Sequence, residues 1–427
     1  MLILTLVVLP VALMLFGFPI FLVLLAASAA TMAFTMQVPL MALHQYLFAS
    51  VNAYALLALP FFILAGELMD RGGVAGRLVG LMRASMGRVP GKVPLTAITG
   101  GAVFGAITGV GAASVATISK VMLPSMREDS YPDSYTAGLM VSVGAVGVIL
   151  PPSIPMIVYA AAADESIPRL YAAGIVPGLL IIGLMALHAL WVGRNNRGSV
   201  SDRFTLRAFG LALRRGIWAA GVPVVIIGGI YGGVFSPTEA AAVACLYAFV
   251  VAWAIMREMS LRDLMAAASS TVSFTAQILV VIACAGVFSW LITVNQISVQ
   301  LVALIEAMNL PGWLLLLVIN LLLLLVGCLI DPLSAILLLT PLLVPLATAI
   351  GVDPVHFGII VTVNLAIGLF TPPFGINLFV MQTMSGLPLR TIYRGILPFV
   401  VIYLIALMLI TYVPMIALSG VWLLIGS

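Results

Sequence analysis

Gly147-Val148-Ile149-Leu150-Pro151-Pro152-Ser153 sits in the middle of an apolar run, and Gly368-Leu369-Phe370-Thr371-Pro372-Pro373-Phe374 repeats the pattern 221 residues later. Proline lacks an N–H and clashes with the preceding turn, so two in succession interrupt a helix and free several carbonyls. At membrane depth such carbonyls are tolerated only where protein, water or an ion meets them. Two broken helices are therefore predicted, over 133–162 and 354–384, with oxygen ligands at each break. The same offset carries Pro124 onto Pro345, and the segment from Pro39 onto that from Ser260. Long internal repeats characterise secondary transporters.

The surroundings of these motifs settle the solvent. Of 427 residues, 63% are hydrophobic and 7% charged, and mean hydropathy is +1.26. Soluble domains carry about 25% charged residues. Apolar runs near membrane-spanning length recur at Leu2–Phe34, Leu170–Trp191, Gly216–Val234, Ala240–Met256 and Gly395–Leu418. The first run lacks a cationic start and a small-residue cleavage site, so it reads as a retained helix. Cys245, Cys284 and Cys328 are far apart in apolar runs and read as small core residues. A net charge of +4 suggests no nucleic-acid partner. Gly87–Lys92 is one residue short of a P-loop, with no Ser or Thr after Lys92.

Charge orients the repeat. Residues 70–92 carry Arg71, Arg77, Arg83, Arg88 and Lys92, whereas the equivalent 291–313 carry only Glu306. Arg257 and Arg262 likewise have no cationic counterparts over 36–41. Short cytoplasmic loops collect Lys and Arg, so equivalent loops lie on opposite sides and the repeat is inverted. Residues 95–125 and 314–345 then read as re-entrant hairpins. The predicted fold is an all-α integral membrane protein with nine crossings, two hairpins and two broken helices. A first repeat spans 1–195, a basic connector and linking helix 196–236, and a second repeat 237–427. The N-terminus is cytoplasmic and the C-terminus outside. The first helix leaves near Gln37. Single crossings are predicted at 170–193, 216–234, 237–256 and 275–291. Arginine-bearing stretches near 74–89 and 201–213 read as interfacial amphipathic helices.

The hairpin tips carry the polar groups. The first runs from Gly105 to Ser114, with the Thr108 and Ser114 hydroxyls on either side of the turn-forming Gly109 and Gly111. The second, Gly327 to Ser334, holds Asp331 in a very apolar stretch. An ionisable group there is functional by default, although Asp331 also suits the start of a helix at Pro332. Two oxygen cages follow: Thr108 with carbonyls from Gly147 through Leu150 to Pro152, and Asp331 with Thr371 and carbonyls through Phe374. Hard oxygen ligands suit Na⁺. Ser153 and Asn377, beside the breaks, are placed toward a substrate, and the half-helix N-termini favour an anion. Ser236-Pro237-Thr238-Glu239 reads as a capping box. Asp353-Pro354-Val355-His356 starts a helix similarly, which makes His356 interfacial; His44 and His188 show no partner pattern.

These motifs, with Leu59-Pro60-Phe61-Phe62, Gly66-Glu67 and Met69, Phe104 to Ala116, Pro151-Pro152-Ser153-Ile154-Pro155, and Asn364 through Gly368 and Thr371-Pro372-Pro373-Phe374-Gly375 to Asn377, resemble a known family. It is the large membrane (M) subunit of the tripartite ATP-independent periplasmic (TRAP) transporters, the C4-dicarboxylate-type large permeases, and the resemblance covers essentially the full length. It implies a Na⁺-driven elevator-type symporter in the bacterial inner membrane. It also implies two partners, a small four-helix membrane subunit and a periplasmic substrate-binding protein. The small subunit is expected as a separate chain, since no extra helices precede Met1. Implied substrates are organic acid anions: dicarboxylates, keto and sugar acids, sialic acid or sulfonates. Family sodium sites carry over onto Thr108, Gly147, Leu150, Pro152, Asp331, Thr371 and Phe374; many relatives have serine where Thr108 stands, which keeps the hydroxyl. No organic cofactor is implied. A passive organic-anion channel is the alternative. A membrane enzyme is disfavoured because no nucleophile–base pair or metal cluster stands out among the three histidines and few acids.

Overall fold

A computed structural model describes the chain apart from Ile3, Gln37, Leu40, Arg88, residues 196–204, Asn309 and Ser427, and leaves the side chains of Ala208 and Arg215 undescribed. The expected exit at Gln37, part of the basic loops (Arg88, Arg197, Arg203) and the start of the 201–213 stretch thus lie outside the described residues. The described residues form helices and no strand. In chain order they are α1 (Leu9–Leu15), α2 (Ile20–Thr31), α3 (Met41–Val51), α4 (Ala58–Arg71), α5 (Val74–Ser85), α6 (Lys92–Thr108), α7 (Gly111–Glu128), α8 (Asp133–Ile149), α9 (Ile154–Ala163) and α10 (Ile167–Asn195). There follow α11 (Leu206–Tyr231), α12 (Pro237–Phe249), α13 (Leu261–Val294), α14 (Ile297–Ala307), α15 (Gly312–Gly327), α16 (Pro332–Ala349), α17 (Pro354–Gly368), α18 (Ile376–Ser385), α19 (Leu389–Tyr412) and α20 (Pro414–Leu424).

Helices that are apolar on every side belong in the middle. In α8 every residue from Tyr135 to Ile149 is buried, and in α17 every residue from Val355 to Gly368. Around α8 pack α19, α6, α7 and α17; α15, α16 and α10 flank α17. The outer helices instead expose large apolar side chains, among them Leu187, Trp191, Val272, Leu321 and Leu325. Water does not tolerate such a continuous apolar exterior, whereas lipid does. Five helices are long and apolar enough to cross a membrane, Ile167–Asn195, Pro237–Ile255, Leu261–Val294, Pro332–Ala349 and Leu389–Tyr412. Two bent pairs raise the number to seven: Met41–Val51 with Tyr54–Arg71, at 59°, and Asp133–Ile149 with Ile154–Ala163, at 41°.

The hairpins α6–α7 and α15–α16 and the interrupted pairs α8–α9 and α17–α18 occur where the prolines and glycines place them. Both Pro-Pro bonds, Pro151-Pro152 and Pro372-Pro373, are cis. Elsewhere the sequence reading needs correcting. The first apolar run is two helices, because Gly17 takes φ +79° and Pro19, extended at ψ 141°, starts α2 afresh. Pro414 likewise divides the last run into α19 and α20. The helix expected over 216–234 begins at Leu206. The helix expected over 275–291 begins at Leu261, where the Ser260 hydroxyl accepts the Asp263 N–H and Asp263 accepts the Ser260 N–H at 3.0 Å. That box fixes the start. At 34 residues α13 is about 51 Å long, well beyond the ~30 Å hydrocarbon core. By length and composition at most seven spans qualify among the described residues, two fewer than the nine crossings expected; Ile20–Met36 and Pro354–Gly368 are among the shorter apolar helices.

Candidate functional site

The first tip and the first break touch through glycine. A Cβ on Gly105 would stand 2.4 Å from the Gly147 Cα, and one on Gly147 would stand 2.4 Å from the Gly105 Cα. Only two bare backbones fit there. Gly109 turns the tip at φ +62°, and its missing Cβ would lie 3.2 Å from the Pro152 carbonyl oxygen. Thr108 is buried; its Oγ1 lies 3.1 Å from the Ser114 Oγ and 3.4 Å from the Gly105 carbonyl oxygen. Leu150 ends α8 in an extended conformation and packs its side chain against Gly178 of α10. Among the described residues no hydrogen bond reaches the carbonyls of Leu150, Pro151 or Pro152. The structure thus gathers Thr108, Ser114, Gly147 and Pro152, with unpaired carbonyls beside hydroxyls.

The second half repeats the contact. A Cβ on Gly368 would stand 2.2 Å from the Gly327 carbonyl oxygen. Asp331 is the N-cap of α16; its Oδ1 accepts the N–H of Leu333 at 3.1 Å and of Ser334 at 3.0 Å. Thr371 donates its hydroxyl to the Ile367 carbonyl. The carbonyls of Pro372, Pro373 and Phe374 accept no hydrogen bond among the described residues, and Phe374 is 59% exposed. Hydroxyl, carboxylate and free carbonyl oxygens are a donor set that fits Na⁺.

Both tips and both breaks open on one cavity of about 880 Å³. Gly109 to Ala112, Ile154-Pro155, Asp331 to Ser334 and Ile376 line it, which places the N-terminal ends of α7, α9, α16 and α18 at a single space. Each such end carries partial positive charge. Phe274, Ala276 to Ile278, Val280 and Val281 of α13 also line it, together with Pro19 to Phe21.

Two residues placed toward a substrate are elsewhere. Ser153 is fully buried; its hydroxyl donates to the Val148 carbonyl and accepts from the Met156 N–H, so it caps α9. Asn377 is fully buried and donates from Nδ2 to the Val141 carbonyl at 3.0 Å, pinning α18 to α8. Neither lines the cavity. His356 is buried too, with Nε2 2.8 Å from the Ile410 carbonyl of α19. Ser236 and Glu239 do form the capping box. Gln277, which the sequence reading did not single out, also lines the cavity. Its signal is a single amide inside the long apolar helix α13.

An all-helical, lipid-facing scaffold with hairpins and broken helices around one cavity defines a multi-pass membrane transport protein. The family model for the tripartite ATP-independent periplasmic transporter, DctM component, matches residues 7–416, and the chain belongs to that family. It is 38% identical over 374 residues, 87% of each chain, to the C4-dicarboxylate TRAP transporter large permease protein DctM of Pseudomonas aeruginosa. It is 37% identical to the isethionate TRAP transporter permease protein DctMQ of Oleidesulfovibrio alaskensis, with 93% of this chain covering 63% of that one. The 2,3-diketo-L-gulonate TRAP transporter large permease protein YiaN of Escherichia coli is 34% identical over 93% of this chain and 94% of its own. Among solved structures, the YdaH transporter of Alcanivorax borkumensis superposes with a TM-score of 0.60 at 18% identity, over 97% and 98% of the two chains. MtrF of Neisseria gonorrhoeae superposes at 0.61 and 15%, over 97% and 94%. These two share the fold alone.

Proposed function

We propose that this chain is the permease subunit of a Na⁺-coupled, binding-protein-dependent symporter that imports small organic acid anions by an elevator mechanism. The observation that carries this reading is the convergence of two hairpin tips and two helix breaks on one cavity, which brings four helix N-termini to it. In a low-dielectric interior that convergence favours an anion. Beside it, each break leaves carbonyls unpaired. In the first cage Thr108, with the carbonyls of Gly147, Leu150 and Pro152, would hold one Na⁺. In the second, Asp331 with Thr371 and Phe374 would hold another. Bound Na⁺ supplies the positive charge that offsets the anion and the free energy of its own gradient. The chain's residues do the rest. The Gly105–Gly147 and Gly327–Gly368 contacts hold each tip against its break, so that tip, break and cavity travel as one body.

The charge asymmetry of equivalent loops supports an inverted repeat, over 1–195 and 237–427 about a connector at 196–236. It also supports a cytoplasmic N-terminus and a periplasmic C-terminus in the bacterial inner membrane. The family supports a small four-helix membrane subunit and a periplasmic binding protein as partners. The substrates for which the relatives are named, C4-dicarboxylate, isethionate and 2,3-diketo-L-gulonate, support an organic acid. The test is uptake into proteoliposomes containing the chain with both partners. An inward Na⁺ gradient should drive accumulation that vanishes without Na⁺ or without the binding protein. Uptake indifferent to both would instead make the chain a passive anion channel.

A further inference from the structure

Behind the second tip lies a buried polar network that neither proposed cage uses. Asn320 of α15, Asn364 of α17 and Thr411 of α19 are all buried. The Asn364 Nδ2 donates to the Asn320 Oδ1 at 2.6 Å and to the Ile360 carbonyl at 2.8 Å, and the Asn320 Nδ2 donates to the Thr411 Oγ1 at 3.2 Å. The Asn364 Oδ1 has no partner among the described residues, and an unmet amide oxygen in an apolar interior is costly. Asn320 stands seven residues before Gly327, and Asn364 four before Gly368. On a helix those separations fall on one face, so the amides meet on the same faces as the Gly327–Gly368 contact. The first half has no such pair. Seven residues before Gly105 stands Ile98, and four before Gly147 stands Val143, both fully buried.

Resting on the Na⁺-symport reading above, we propose that Asn320 and Asn364 are positioning residues for the second sodium cage. The helix α15 runs unbroken from Asn320 to Gly327, and α17 from Asn364 to Gly368. A bond between the two amides therefore fixes the register of the hairpin limb along the broken helix. Asp331 follows Gly327 by four residues and Thr371 follows Gly368 by three, so the same bond sets where the carboxylate stands relative to the hydroxyl and the Phe374 carbonyl. Apolar contact is non-directional and permits small slides, whereas a hydrogen bond holds both distance and angle. Stability alone does not call for amides here. Replacing both partners of a buried hydrogen bond by apolar groups of the same shape is nearly neutral, and the first half carries an apolar pair at the equivalent places. The amides thus serve the geometry of one cage and not the other.

The test is equilibrium Na⁺ binding to the purified full chain by calorimetry, with choline as the replacement cation. Asp331→Asn marks the component of the titration that belongs to the second cage. Asn320→Leu removes the bridge while the Asn364 Nδ2 keeps the Ile360 carbonyl. It should raise the Kd of that same component about tenfold, as loss of a group that orients a metal ligand does, and leave the other component unchanged. Added to Asp331→Asn, it should have no further effect. Thr411→Val breaks only the leg to α19; it should lower the melting temperature, because the Asn320 amide loses an acceptor, and bind Na⁺ as the wild type does. If Asn320→Leu does not fold, the double variant Asn320→Leu with Asn364→Leu decides, since it copies the apolar pair of the first half; it should melt near the wild-type temperature with the same tenfold loss. Wild-type Na⁺ affinity in whichever of these folds, an equal loss in both components, or the same loss in Thr411→Val would each overturn the assignment. If the wild type binds no Na⁺, or Asp331→Asn removes no component, the Na⁺-symport reading with its second cage fails instead.

Discussion

One substitution separates the two tasks of Asp331. Its Oδ1 accepts two N–H groups at the start of α16, at 3.1 and 3.0 Å. Asparagine caps a helix about as well as aspartate, whereas alanine costs about 1 kcal/mol. Both substitutions remove the charge. A unit charge about 4 Å from a cation, at an effective dielectric constant near 20, is worth about 4 kcal/mol. If desolvation leaves only a third of that, about 1.4 kcal/mol remains, a tenfold change in an equilibrium constant. Asp331→Asn should therefore raise the Na⁺ concentration for half-maximal uptake at least about tenfold while the melting temperature stays at the wild-type value. Asp331→Ala should show the same Na⁺ defect together with lower stability. The assay is Na⁺-dependent uptake in proteoliposomes, paired with thermal melting of the purified chain. An Asp331→Asn protein with wild-type Na⁺ dependence would reduce Asp331 to a helix cap and remove the second cage.

Gly147→Ala places a methyl 2.4 Å from the Gly105 Cα, and Gly368→Ala one 2.2 Å from the Gly327 carbonyl oxygen. Backbone cannot yield as a side chain does, so each should destabilise the chain by about 1–3 kcal/mol and suppress uptake; a melt and uptake indistinguishable from wild type would refute the contact. Thr108→Ser keeps the oxygen beside Ser114 and should retain Na⁺ dependence, whereas Thr108→Val should weaken it, as a Na⁺ titration of uptake will show. Ser236→Ala removes the acceptor for the Glu239 N–H and should cost about 1 kcal/mol of stability with uptake per folded molecule unchanged. A transport defect there would mean that the capping box has a second role.

The breaks, the hairpins and the Ser236 capping box were legible because each rests on local backbone chemistry. A proline pair removes N–H groups wherever the chain goes, and Ser236 with Glu239 closes its box within four residues. Apolar runs were legible as membrane helices but not in their limits. The split at Gly17–Pro19 and the early start of α13 show why: hydropathy averages over a turn or a cap that a few residues decide. Ser153 and Asn377 show a different limit. A hydroxyl or amide next to a break has several directions open to it, and the carbonyls of Val148 and Val141 took these two inward.

What the sequence determined by itself is the solvent, the helical class, the two breaks and the two tips, because composition and proline act without reference to partners. Only the tertiary structure decided that both tips and both breaks share one cavity, that Gly105 meets Gly147 and Gly327 meets Gly368, and that Gln277 of α13 lines that cavity. These are contacts between helices distant in the chain. They depend on how close two backbones approach, and no local pattern encodes that distance.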